Sequence, residues 1–141
     1  MKSNILIVLF FAGIAGLISC TKNNNSSVSQ NINSNQLKQG SWKVTNFWDK
    51  DHDETNSFDG VGFTFNSAGS VSAVSGGSTV GGNWSIGMDD TQSKLTLQFT
   101  TTPFSDINDD WHIVDLSSTV MHLADVSGGN GTTEMLTLEK I

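Results

Sequence analysis

From Gly40 onward the chain alternates apolar and polar residues with a period of two, in short runs broken by Gly, Asn, Asp and Ser. In an extended strand that period puts every second side chain on one face, so each run reads as a half-buried antiparallel strand. In the first run Trp42 and Val44 share a face, with Trp48 as a further candidate, while Lys43 and Thr45 take the other. In residues 60–66, Val61, Phe63 and Phe65 alternate with Gly62 and Thr64. The turn Asn66-Ser67-Ala68-Gly69 leads to a weaker run, 70–74, and Ser75-Gly76-Gly77-Ser78 is a hairpin signal. Residues 79–86 follow, with Gly82, Trp84 and Ile86 on one face; Leu95, Leu97 and Phe99 then share a face in 94–100. Runs 111–116, 119–124 and 134–140, the last with Leu136 and Leu138 inward, bring the total to about eight. No helical period occurs after residue 40, although 35–38 has room for one turn.

Short links between successive strands predict an all-β, up-and-down antiparallel meander. An open eight-stranded sheet leaves two unpaired edges, and closure removes both. A closed or nearly closed barrel is therefore the expected architecture, with a β-sandwich as the alternative. Many Gly, Ser, Thr and Asn residues and few charges suit such a β domain better than long helices.

The first 35 residues follow a different pattern. Lys2 supplies a positive start, residues 5–18 are an uncharged run of 14 apolar residues and glycines, and small Ser19 precedes the one cysteine, Cys20. This is the layout of a secretory signal peptide. The run is short of the roughly 20 residues that span a bilayer as a helix. Leu17-Ile18-Ser19-Cys20 resembles the lipobox of bacterial lipoproteins. The resemblance implies cleavage after Ser19, a diacylglyceryl thioether on Cys20, and an acyl chain such as palmitate on the new amino group. More than one chain is what stable anchoring requires. Residues 20–35, rich in Asn and Ser, are then a tether reaching roughly 20 Å. The expected organisation is a signal peptide over 1–19, the lipidated tether over 20–35 and one β domain over 36–141. Thr21, where an Asp would mark inner-membrane retention in well-studied lipoproteins, implies an outer-membrane address. With no acidic export run after Cys20, that address faces the periplasm.

Charge narrows the partners. Loss of Lys2 leaves six lysines, no arginine and fourteen acids, a net charge of −8. Nucleic-acid binding needs clustered cations, so it is excluded. An acidic surface is repelled by anionic lipid, so membrane contact should run through the anchor alone.

The domain itself resembles the lipocalins and small bacterial lipocalin-like lipoproteins. Gly40-x-Trp42 opens the first strand; Phe63-x-Phe65, a turn at Gly69, Trp84 after a Gly pair, Leu95-x-Leu97, Trp111-x-Ile113, Met121-x-Leu123 and Leu136-x-Leu138 follow in order. The resemblance implies a small apolar or amphiphilic ligand inside the barrel, against Trp42, Phe63, Phe65, Trp84, Phe99 and Trp111. Lipocalins commonly lay an arginine over the first-strand tryptophan, and a chain without arginine is expected to lack that contact at Trp42. The same rings are bulky enough to fill an eight-stranded barrel, with Gly62, Gly82 and Ala73 as places for a gap.

Alternate loops of a meander share one end, which brings together two acidic loops, 49–59 and 106–110. Asp49, Asp51 and Asp53 have the spacing of the first oxygens of a calcium loop, so Ca²⁺ is a candidate ligand. The rest of the EF-hand pattern fails, because Glu54 replaces the turn glycine and Gly60 the bidentate glutamate. A looser oxygen site spanning both loops, or two solvated loops, are the other readings. His52, His112 and His122 lack metal spacing. No nucleophile elbow, zinc-protease helix or phosphate loop occurs, so no catalytic residue and no cofactor is assigned. The sequence thus predicts a non-enzymatic, lipid-anchored envelope protein that binds a small apolar ligand. The alternative is an interaction module with a filled core, whose acidic loops meet a protein partner or Ca²⁺.

Overall fold

The computed structural model describes residues 33–89, 91–126 and 132–141. Leu17, Ile18, Ser19 and Cys20, most of the tether, and Gly128-Gly129 lie outside the described residues. Strands form at β1 (Trp42–Asp49), β2 (His52–Asp53), β3 (Gly62–Phe65), β4 (Ser70–Ser75), β5 (Ser78–Asp89), β6 (Gln92–Phe99), β7 (Asp110–Leu116), β8 (Val120–Val126) and β9 (Thr133–Lys140). A one-turn helix, α1 (Ser34–Leu37), precedes them, and 3-10 turns occupy Thr55–Phe58 and Phe104–Ile107. Among the described residues, no helix is long and apolar enough to cross a membrane.

Each strand from β3 to β9 pairs antiparallel with the next, and β9 returns to β1 from Trp42↔Lys140 to Trp48↔Met135. β1 also meets β3 at Trp42↔Phe63. Eight strands therefore close into a barrel, and the sandwich alternative is set aside. The extra strand, β2, is a small hairpin on the end of β1 through Trp48↔Asp53 and Asp49↔His52. The predicted hairpin at Ser75↔Ser78 is built on Gly76 and Gly77, both left-handed with φ of 56° and 84°. Paired positive φ values give the turn whose twist matches that of the strands.

Two expectations about individual faces change. Between Val44↔Leu138 and Asn46↔Thr137, β1 carries one extra residue, Thr45. Such a bulge reverses the alternation. Phe47 is thereby fully buried and Trp48, 36% exposed, points outward rather than joining Trp42 and Val44. At Trp42 the ring is not left without a cation: Lys140 Nζ lies 5.3 Å from its centroid. The Trp42↔Lys140 pairing brings a lysine to the place where the family resemblance puts an arginine.

The core spans Leu37 to Leu138. At one end α1 closes the barrel, with Leu37 fully buried and the Trp42 indole N–H donating to its carbonyl at 2.9 Å. The ring of strands closes on itself around this core.

Candidate functional site

The six rings proposed as a ligand lining all lie in one core cluster, and four of them meet in pairs. Trp42, Phe63, Phe65, Trp84, Phe99 and Trp111 are all buried, Trp84 least so at 8% exposed. Phe63 and Phe99 pack edge-on at 6.1 Å, and Phe65 and Trp84 at 5.5 Å. Three further rings, not assigned from the alternation, complete the packing. Phe47 is turned inward by the bulge and lies 6.4 Å from Trp111. Phe58 and Phe104 come from the two 3-10 turns in the loops at the far end, and they fold inward to within 6.4 Å of each other. Phe104 also lies 6.2 Å from Phe63 and 5.8 Å from Phe99. Burial of each ring is worth about 1.5–3 kcal/mol, with about 0.5–1.5 kcal/mol more for a well-placed aromatic pair. The expected gap at Gly82 is taken up by Phe99, whose Cδ1 would lie 2.6 Å from a Cβ there.

Above this plug the barrel mouth is lined by carboxylates, and period-two alternation explains why. Asp49 lies two residues beyond inward Phe47, Glu134 two before Leu136, Asp125 two beyond Leu123, and Asp109 two before Trp111. The inward faces of β1, β9 and β8 and of the lead-in to β7 thus change from apolar to acidic at one level. Asp125 pairs with Glu134 in the ladder, and Asp109, Asp110 and Asp125 place carboxylate oxygens within 4.8 Å of one another. Among the described residues, these three form the cluster with metal-ligand spacing.

Lysines balance part of this charge. Lys50 Nζ lies 3.3 Å from Asp49 Oδ1 and 3.6 Å from Glu134 Oε1. Asp49 Oδ1 is shut off from solvent without a hydrogen bond of good geometry, so the Lys50 ammonium is its ion-pair neighbour. Outside the rim, Lys94 bridges Asp110 at 2.6 Å and Asp89 at 2.9 Å. Donating to these two carboxylates holds the Lys94 pKa above its ordinary value. The Lys94 bond in turn lowers that of Asp110. Burial, reinforced by repulsion from Asp125, raises Asp109. Burial also raises Glu134, which is 8% exposed, with repulsion from Asp49 next in weight.

The Glu134 shift has a testable sign. A carboxyl whose folded pKa is raised binds protons more tightly in the native state, so it subtracts from stability once both states are ionised. Glu134→Gln is expected to raise the urea midpoint at neutral pH. The gain should shrink as pH falls through the raised value and vanish below the ordinary 4.5. Urea titrations of both proteins across that range check it; an equal gain at every pH would contradict the assignment.

The structure separates the three calcium candidates. Asp51 accepts from His52 Nδ1 at 2.7 Å, an exposed pair that raises the His52 pKa. Asp53 accepts the Thr55 N–H at 2.9 Å and opens the 3-10 turn. Asp49 alone faces the mouth. Asp49 and Asp109, one at each acidic loop, both act on the Glu134 carboxyl. Glu134 and Asp125 were missed because they were read as strand ends, although continuing the alternation from Leu136 and Leu123 finds them.

No family model and no curated protein matches the sequence. A solved structure does: a DUF4847 family protein from Bacteroides vulgatus ATCC 8482, with a TM-score of 0.52 and 17% identity over 75% of this chain and 95% of the other. At that identity the likeness concerns the fold, and it agrees with the closed antiparallel barrel.

Proposed function

We propose that this protein is a lipid-anchored interaction module of the bacterial envelope, which presents the acidic mouth of a filled barrel to a basic group on a protein partner. The observation that carries this reading is the interior: the six rings that would line a ligand cavity are all buried, and Phe63, Phe65, Trp84, Phe99 and Trp111 each pack edge-on against another ring. A filled barrel moves recognition to its surface. The mouth brings Asp49, Asp109, Asp125 and Glu134 together, with the Lys50 ammonium beside Asp49 and Glu134, and this acidic character complements a lysine or arginine side chain.

The position of the mouth supports the same reading. β1 begins beside α1 at Trp42 and ends at Asp49, so the mouth lies about 25 Å from the end where the chain enters the barrel. With Cys20 lipidated, the tether would join the barrel at the closed end and leave the mouth facing away from the lipid.

Two measurements test this. Native mass spectrometry of residues 33–141, purified from a bacterial periplasm, is expected to give the apo mass. A stoichiometric apolar compound released by solvent would instead establish a carrier and overturn the proposal. Cross-linking in the intact envelope should then capture a partner with the wild-type chain and lose it with Asp109→Asn/Asp125→Asn. Capture that is unchanged in this variant and insensitive to salt would reject the mouth as the contact. Calcium titration of the same pair of proteins distinguishes a metal ion from a protein cation.

A further inference from the structure

The barrel has one weak seam. The ladders between neighbouring strands of the ring comprise three to eight residue pairs, except that β1 meets β3 at the single pair Trp42↔Phe63. On the mouth side of that pair the two strands part around a cleft of about 390 Å³, walled by residues 43–45 on one side and 59–62 on the other. This lies within the range of small-ligand pockets.

Strand geometry shows what the cleft offers. The Ser41 carbonyl accepts from the Ile141 N–H at 2.9 Å, so Ser41 faces β9. Main-chain groups alternate sides along a strand. Lys43 therefore also faces β9, whereas Trp42 and Val44 face β3. Trp42 finds Phe63. Continuing that register sets Val61 opposite Val44, but the Val61 N–H turns back to the Phe58 carbonyl at 3.1 Å. The Val44 N–H and C=O are thus aimed into the cleft with no ladder partner from β3. The side chains of Val44, Val61 and Phe58 are buried inward, 7%, 5% and 2% exposed, and give the cleft an apolar floor. Lys43 and Asp59 stand on opposite walls, and the exposed Ile141 forms one margin.

We propose that this cleft binds a short extended peptide segment, which completes the sheet by pairing its main chain with Val44. A donor–acceptor pair left without a ladder partner on a strand edge is the chemistry that β-strand addition uses. Because the floor is apolar and the groups that pair with the segment are main-chain, the preferred segment has small apolar residues facing inward and polar residues facing out toward Lys43 and Asp59. The site is separate from the acidic mouth, and it does not depend on the function proposed for that end.

Amide NMR of the full chain tests it, with terminally blocked pentapeptides of alternating valine and serine as the probe. Peptide is expected to shift the Val44, Gly60 and Gly62 amides in a saturable way and to slow hydrogen exchange at Val44. Gly62→Val narrows the cleft without touching the core: a Cβ at Gly62 would sit 3.6 Å from Ile141 Cδ1, an ordinary contact. This variant should keep the folded spectrum and weaken binding by about tenfold or more. Absence of any shift at Val44 and Gly62 at millimolar peptide would overturn the proposal. So would shifts confined to Asp109, Asp125 and Glu134, or equal affinity in Gly62→Val.

Discussion

Trp111→Ala is expected to lower stability by about 3–5 kcal/mol, the cost of removing a large ring from a packed core that cannot fully collapse. Trp111 is fully buried, packs edge-on against Phe47 at 6.4 Å, and donates its indole N–H to the Ile107 carbonyl at 3.0 Å. Alanine leaves both an apolar void and a buried carbonyl without its donor, and the second by itself costs about 1–3 kcal/mol. Urea denaturation measures the loss. The same variant probes the filled-barrel reading directly. A dry apolar void binds small aromatic molecules, so indole should raise the midpoint of Trp111→Ala while leaving the wild-type midpoint unchanged. Equal stabilisation of the wild type would reveal existing room in the barrel and favour a carrier.

The second large effect is expected at adjacent glycines on β5. A Cβ at Gly82 would lie 2.6 Å from Phe99 Cδ1, 2.7 Å from Phe99 Cε1 and 2.7 Å from the Gln98 carbonyl oxygen. The ring is held by Phe63 and Phe104, and the carbonyl belongs to the neighbouring strand, so neither can simply move aside. Gly82→Ala should therefore cost about 1–3 kcal/mol through overpacking. A Cβ at Gly81 meets nothing within 4 Å. Gly81→Ala should be neutral, or stabilising by about 0.4–1 kcal/mol through the stiffer unfolded chain. Thermal or urea unfolding of the two variants side by side checks the contrast. Similar losses at both positions would show that general β5 flexibility, rather than contact with Phe99, is what the glycines provide.

Much of the barrel was legible because alternation is a local signal. Leu95, Leu97 and Phe99 point inward wherever β6 pairs, and Gly76-Gly77 permits the left-handed turn wherever the hairpin lies. The signal failed at Thr45, where one inserted residue exchanged Trp48 for Phe47. A bulge depends on how β9 registers against β1, and a single strand does not carry that information. Phe58 and Phe104 were illegible for a related reason: they lie in irregular loops without a period and turn inward because the barrel leaves space there. Lys140 escaped notice as a partner of Trp42 because nearly a hundred residues separate them and closure alone brings them together.

The sequence by itself determined the strands, their inward faces, the turn positions and the acidic character of the domain, since each follows from residue chemistry within a few neighbours. Only the tertiary structure decided that the sheet closes, that the aromatic rings are buried in one core, and that Asp49, Asp109, Asp125 and Glu134 share one mouth. It also decided where the ring is weakest, at the β1–β3 cleft. These features depend on register and closure between distant segments, where shifting one strand by one residue would turn every inward side chain out.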